Sequence, residues 1–299
     1  MNGKRGKILI IRGGAIGDFI LTLPAIAAVR STFPETHLDV LGYPALAELA
    51  RTAGIIDGYR SIEARPLARF FARHAPLDPD WADYFESFHL IISYLYDPDD
   101  LFKTNIGRAT KAQFIQGPHR PDEMENLHAT AVFLQPLEKL AIYDADPVPR
   151  LSVPAANENC GSIAAHPGSG SEKKNWPEEK WSELLLRLPG RILLVGGEAE
   201  GERLDRLRRR LPEDRVRTAQ SQPLAQLAAQ LSGCRGFIGH DSGITHLAAA
   251  LGVPTLALWG PSNERIWRPL HPQATILKCA EGLENLTVDQ VLGAAACWA

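Results

Sequence analysis

The chain alternates between short unbroken apolar runs and longer stretches whose apolar positions recur every three or four residues. "KILIIR" (7–12), "HLDVLGY" (37–43), "LIISYLY" (90–96) and "AQFIQG" (112–117) are runs of the first kind. Such runs fit strands of a parallel sheet buried on both faces. Between them, "DFILTLPAIAAVRSTF" reads as a helix that Pro24 kinks or in which Pro24 starts the regular part, and "PALAELARTAG" as a helix opening at a proline. Strands alternating with helices predict βαβ units with helices on both faces of the sheet.

The stretch "YDADPVPRLSVPAANEN" (143–159) breaks this rhythm with Pro, Asp and Asn, and reads as a linker. The pattern then restarts. "SIAAH", "RILLVGG", "GFIGH" and "VPTLALWG" read as strands, and "PEEKWSELLLRL", "EGERLDRLRRRL", "PLAQLAAQLSGC" and "SGITHLAAALG" as helices, the last ended by Gly252. The predicted fold is α/β, with two tandem Rossmann-like domains over 1–150 and 151–299 facing across a cleft. The last helix is a candidate to pack back on the first domain. In open α/β sheets ligands bind at the carboxyl ends of the strands, so a cleft between two such sheets is the expected site.

Composition narrows the class. At 299 residues, 45% hydrophobic and 22% charged, the chain has the make-up of a globular protein with room for two cores. A net charge of −3 argues against a bulk nucleic-acid binder. Cys160, Cys234, Cys279 and Cys297 form no C-x-x-C pair, which argues against zinc or redox chemistry and fits a reducing compartment. Lys4, Arg5 and Lys7 before an apolar run resemble a secretory signal, but Arg12 and Asp18 interrupt that run. No stretch approaches a membrane span of about 20 apolar residues. The reading is a cytoplasmic protein.

Three strand-to-helix turns carry the candidate chemistry. The first, "RGGAIGD", places Gly13 and Gly14 where a backbone can approach a ligand and puts Asp18 at a helix start. A carboxylate repels phosphate, so Asp18 suits a general base facing an acceptor hydroxyl, or alternatively a helix cap. A dinucleotide reading fits poorly. "GGAIG" is not G-x-G-x-x-G, and its acidic partner would be Asp39, which sits early in its strand. The second turn, "HPGSGSEKKNWPEEKW" (166–181), offers Ser169, Gly170 and Ser171 for hydroxyls and amides, and Lys173 and Lys174 as point charges for phosphate. The third, "GHDSGITHLAAALG" (239–252), lets Asp241 or Ser242 cap a helix whose first amides Gly243 leaves open. His246 on that helix is either structural or part of the site. "YDPDD", with Asp97, Asp99 and Asp100, could hold Mg²⁺ on a diphosphate, but Asp-Pro favours a solvated turn, and no metal is expected.

With these residues assembled, "ILIIRGGAIGDFILTLPAIAAVR", the 166–181 loop and "GHDSGITHLAAALGVPTLALWG" resemble, in order, the motifs of the ADP-heptose:lipopolysaccharide heptosyltransferases, glycosyltransferase family 9. The resemblance covers nearly the whole chain, with residues 60–110 poorly matched. It implies a GT-B fold, a C-terminal half that binds the nucleotide-sugar and an N-terminal half that binds the acceptor. It implies inverting transfer without metal or cofactor, with Asp18 as base, Lys174 on the donor phosphate, and the amides at Asp241, Ser242 and Gly243 facing the pyrophosphate. One extra residue in the 166–174 loop leaves Lys173 as a substitute for Lys174. Gly13, Gly14, Ser169, Gly196 and His246 complete the expected donor set. Arg60, Arg65, Arg69 and Arg73 are acceptor candidates by charge and position, or equally the polar face of a solvated helix.

The partners so implied are a nucleotide-sugar, ADP-heptose by resemblance, and a lipopolysaccharide-core or other surface-glycan acceptor, with peripheral contact at the inner membrane face and no nucleic acid. Two other classes compete. One is a non-catalytic nucleotide-sugar binder in a glycan assembly complex. The other is an epimerase or hydrolase that would consume the donor without an acceptor.

Overall fold

The computed structural model describes residues 6–156, 160–197 and 200–298. Lys4 and Arg5 therefore lie outside the described residues, and the apolar run that follows them is a core strand. The chain divides into two units, Met1–Pro147 and Val148–Ala299, parting inside the Pro- and Asp-rich stretch.

In the N-terminal unit the strands are β1 (Lys7–Arg12), β2 (His37–Gly42), β3 (Gly58–Ser61), β4 (Leu90–Ser93) and β5 (Gln113–Gln116), and the helices are α1 (Ile16–Thr32), α2 (Pro44–Thr52), α3 (Pro79–Glu86), α4 (Leu101–Ala109) and α5 (Ala129–Leu134). The sheet order is β3-β2-β1-β4-β5, every pair parallel. The strand order reverses between β1 and β4, so the crevice beyond their carboxyl ends is the place this topology reserves for a ligand. Leu9, Ile11, Leu41 and Ile91 of the sheet pack with Phe70, Phe85 and Phe102 on one face.

Two details differ from the sequence pattern. α1 begins at Ile16 and runs through Pro24, so the proline does not start its regular part. The ring removes one helical hydrogen bond, and burial of Ile20, Leu21, Leu23 and Ile26 on several faces holds the helix through it. The run "LIISYLY" leaves the sheet at Ser93. Tyr94 N–H still donates to the Ile11 carbonyl, but its own carbonyl accepts from the Arg12 side chain.

The C-terminal unit contains β6 (Ile163–His166), β7 (Ile192–Gly196), β8 (Val216–Gln220), β9 (Gly236–His240), β10 (Thr255–Trp259) and β11 (Ala274–Lys278), with helices α6 (Glu178–Arg187), α7 (Gly201–Arg209), α8 (Leu224–Ser232), α9 (Gly243–Ala250), α10 (Glu264–Trp267) and α11 (Val288–Ala294). Its order, β11-β10-β9-β6-β7-β8, is again fully parallel, with the reversal between β6 and β9. The register sets His166 beside Gly239, so the loops after β6 and β9 leave the sheet side by side. Trp176 and Trp181 fill the core on that side, rings 5.6 Å apart and edge to face. By its pattern the last helix is a candidate to pack on the first domain. In the structure α11 packs on α6, and Val288 and Val291 join the core of its own unit.

The four cysteines are free thiols. Among the described residues no helix is long and apolar enough to cross a membrane.

Candidate active site

At the end of β1, Arg12 turns into the interior and is 2% exposed. Its Nη1 donates to the carbonyls of Tyr94 at 3.4 Å and His119 at 2.9 Å, and its Nη2 to the Asp18 carbonyl at 3.2 Å. The guanidinium also lies 4.5 Å from the Phe133 ring centroid. Burial pushes its pKa below the ordinary arginine value, and the nearby Asp18 carboxylate opposes that push. One side chain thus ties the ends of β1 and β4, the segment after β5 and the first turn of α1.

Asp18 is the third residue of α1, and its carboxylate Oδ2 accepts from Ala15 N–H at 2.9 Å. This is the acidic half of a capping box; Ala15 has no side-chain acceptor to return it. Oδ1 stands 3.8 Å from Arg12 Nη2, beyond hydrogen-bond distance, and the Asp18 side chain is 34% exposed. The cap therefore occupies one carboxylate oxygen and leaves the other, backed by a buried positive charge, able to accept a proton from a hydroxyl. Gly14 makes this possible. It sits at φ +97°, and a Cβ there would fall 2.7 Å from Asp18 Oδ2. Gly13 shares the turn, in the N-terminal unit with Asp18 and apart in the chain from the other expected donor residues.

In the C-terminal unit the loops after β6 and β9 meet. Lys174, in a short 3-10 turn (Glu172–Lys174), places Nζ 2.6 Å from Asp241 Oδ2, with the side chains 33% and 9% exposed. By their motifs the lysine suits phosphate and Asp241 backbone contacts or a cap. The structure makes them a pair, and the cap falls to Ser242, whose Oγ accepts from Thr245 N–H at 3.4 Å. α9 then starts at Gly243, two residues past Asp241, with the Gly243 and Ile244 amides ahead of the capped Thr245 N–H. Ser169 spends its hydroxyl inside the loop, 2.8 Å from the Ser171 carbonyl and 2.8 Å from Asn175 Oδ1. Lys173 belongs to the same turn; its side chain lies outside the described residues. Arg203 of α7 reaches the loop from the other side, donating to the Pro167 carbonyl at 3.2 Å and Glu172 at 2.9 Å.

The remaining candidates fall elsewhere. Gly196 ends β7, where a Cβ would lie 2.6 Å from Leu204 Cδ1, so close packing of α7 already requires a glycine. His246 is the fourth residue of α9 and is buried. Arg60 stacks its guanidinium over Tyr84 at 4.1 Å and Trp81 at 5.2 Å, a packing role on α3. Arg65 and Arg69 lie exposed on a 3-10 turn (Arg65–Phe71) whose Leu67 and Phe70 are buried, an amphipathic arrangement. Arg73 lies 3.5 Å from Asp99. Asp97 caps α4, accepting from Phe102 N–H at 3.0 Å and Lys103 N–H at 2.9 Å. Among the described residues no cluster of His, Cys, Asp and Glu has the grouping of a metal site. Asp39 is the third residue of β2 and pairs with His37 at 2.8 Å, so it is not at the carboxyl end where a ribose would need it.

Two residues matter that the motifs did not single out. Arg12 looked like a charge interrupting an apolar run, and only its long-range carbonyl partners reveal its place. His240 ends the strand "GFIGH", where its motif assigns it no role. Its ring is fully buried beneath the β6–α6 loop.

The profile of glycosyltransferase family 9 (heptosyltransferase) matches residues 140–291, just over half of the chain. Lipopolysaccharide heptosyltransferase 1 of Pseudomonas aeruginosa is 35% identical over 288 residues, covering 86% of this chain and 79% of that protein. Among solved structures, the ADP-heptose LPS heptosyltransferase II of E. coli aligns with a TM-score of 0.80 at 17% identity, over 98% of both chains. The E. coli heptosyltransferase WaaC, solved with ADP, aligns with a TM-score of 0.76 at 18% identity, over 98% of this chain and 100% of that one. The structural likeness fixes the fold as that of the GT-B heptosyltransferases, and the profile and the identity fix the family: the chain belongs to glycosyltransferase family 9 and is a glycosyltransferase.

Proposed function

We propose that the protein transfers a heptose from ADP-heptose to a lipopolysaccharide-core acceptor, with inversion at the anomeric carbon and without a metal. The observation that carries this reading is the meeting of Lys174, Asp241 and the start of α9 at the strand reversal of the C-terminal sheet, where the topology offers an anion site. The diphosphate would take the α9 amides and the ammonium of Lys174. Asp241, a carboxylate already neutralised by the lysine, suits the hydroxyls of the sugar better than the phosphates.

In the N-terminal unit Asp18 would act as base. The acceptor hydroxyl oxygen attacks the anomeric carbon and gives its proton to Asp18, while the bond from that carbon to the phosphate oxygen breaks and ADP leaves with the electron pair. The charge developing on ADP is stabilised by the lysine and amides in place of a metal ion. Arg65 and Arg69, exposed and unlike Arg60 not stacked on aromatic rings, are the acceptor-side cations of this proposal. A phosphorylated glycolipid acceptor would bring the enzyme to the cytoplasmic face of the inner membrane as a peripheral protein.

The test is ADP release from ADP-heptose with a heptose-free core acceptor, with and without EDTA. Acceptor-dependent release that survives EDTA supports the reading. Release without acceptor would indicate hydrolysis, and binding without release a non-catalytic role.

A further inference from the structure

The last residue of β9, His240, is 0% exposed, and its ring meets polar partners on both sides. Nε2 accepts from Trp176 N–H at 2.9 Å and faces Trp181 Nε1–H at 3.4 Å. A ring nitrogen that faces two N–H groups carries no proton of its own. The neutral ring therefore holds its proton on Nδ1, which lies 3.2 Å from the Gly168 carbonyl, a group that can only accept. Burial holds the imidazole neutral, its pKa pushed down to about 3. The Trp181 ring stands nearly perpendicular to it at 5.4 Å and fixes its plane.

Gly168 and Trp176 are the two ends of the loop that carries Ser169, Ser171 and Lys174. One imidazole thus fastens both ends of this loop to β9, and the next residue along the chain, Asp241, fastens its lysine. Arg203 also grips Pro167 and Glu172, but Glu172 is exposed and that ion pair is weak. Few other side chains could do what His240 does. The bridge needs a donor and an acceptor on opposite sides of one rigid group, whereas an Asn or Gln amide has both at one end and reaches a single partner.

We infer that His240 is a positioning residue of the transferase: by bonding to Gly168 and Trp176 it holds the loop in the conformation that sets Lys174 beside Asp241, so that the nucleotide diphosphate meets a formed site. It acts through the loop and does not touch the donor. The inference rests on the reading of the C-terminal unit as the donor unit.

Three substitutions separate the contacts. His240→Phe keeps a planar ring, slightly larger, and loses both bonds, His240→Asn keeps a donor near the Nδ1 position, and His240→Gln keeps an acceptor near the Nε2 position. ADP affinity and the donor KM and kcat are measured for each, beside Lys174→Ala. If the loop is formed in a smaller fraction of molecules, apparent affinity falls by that fraction. His240→Phe is expected to weaken ADP binding and raise the donor KM by roughly tenfold, with a smaller effect on kcat, and the two amide variants to recover part of it. Exchange of the Trp176 amide hydrogen should accelerate in the Phe and Asn variants more than in Gln. Should Lys174→Ala weaken ADP binding while His240→Phe leaves it within twofold, the positioning role is wrong and the donor reading stands. Should neither weaken it, both fall. A measurement independent of any variant is nitrogen NMR of the wild-type ring, which should show a neutral Nδ1–H tautomer from pH 8 to pH 5. An Nε2–H tautomer, or titration near the ordinary histidine value, overturns the inference.

Discussion

Mild acid should destabilise the C-terminal unit through two buried histidines. His166 and His240 are both enclosed, and burial pushes their pKa values down to about 4 and about 3 from 6.5. The folded state therefore keeps both rings neutral where the unfolded chain takes up protons. Their contribution is fully present above pH 6.5, and it is lost as the pH falls toward 4 for His166 and toward 3 for His240. Each unit of pH in that window removes about 1.4 kcal/mol per ring, so falling from pH 6.5 to pH 5 removes about 2 kcal/mol from each and about 4 kcal/mol together. Against a typical stability of about 5–15 kcal/mol this is a large fraction. The carboxylates held down by arginines, such as Glu178 beside Arg206, act only below their ordinary range, while the partly buried His271, also pushed down by burial, adds to the loss in the same window. The assay is urea unfolding followed by tryptophan fluorescence, to which Trp176 and Trp181 beside His240 and three more tryptophans of the C-terminal unit contribute, at pH 7, 6 and 5. The midpoint should fall with unchanged slope, and His166→Gln should remove one ring's share, about 2 kcal/mol, of the pH dependence. A midpoint that moves by less than one histidine's worth, or a His166→Gln protein with the full dependence, would mean that burial does not hold these rings neutral.

Two further outcomes follow from named contacts. Lys174→Ala leaves Asp241 9% exposed without its partner, so ADP binding should weaken by roughly tenfold or more in a titration with EDTA present, and a shift that requires Mg²⁺ would contradict the metal-free donor site. Gly14→Ala must accept φ +97° and a Cβ 2.7 Å from Asp18 Oδ2, so thermal melting should show a loss of about 1–3 kcal/mol together with reduced transfer; an unaffected protein would mean that the turn does not hold Asp18 as described.

The parts of this fold that the sequence made legible share one physical property. β1, β7, β9 and β10 are central strands, buried on both faces, and write themselves as apolar runs. Three of the four edge strands do not. β3 is "GYRS", β8 "VRTAQ" and β11 "ATILK", each open on one side and only partly buried, so no apolar run marks them, whereas the fourth edge, β5, shows in "AQFIQG". The site divides in the same way. Gly14, Asp18, Lys174 and Ser242 announce themselves because turns and helix starts demand particular residue types at particular spacings. Arg12 and His240 do not, because their meaning lies in partners far away in the chain: His119 and Tyr94 for one, Gly168 and Trp176 for the other. The pairing of Lys174 with Asp241 was hidden likewise. Each carried a separate role in its own motif, and only the adjacency of β6 and β9 brings them to 2.6 Å.

In the proposed transfer Asp18 is the base, and the Asp18→Asn enzyme decides whether it is. The amide oxygen can still accept from Ala15 N–H, so the turn and α1 should survive, and ADP affinity should stay within about twofold. What is lost is the proton acceptor. Transfer from ADP-heptose to the core acceptor, measured at saturating donor, should fall by roughly 10²-fold or more, as expected for losing general-base catalysis. An Asp18→Asn protein that folds, binds ADP and transfers at a near-normal rate would reduce Asp18 to a helix cap and contradict the account.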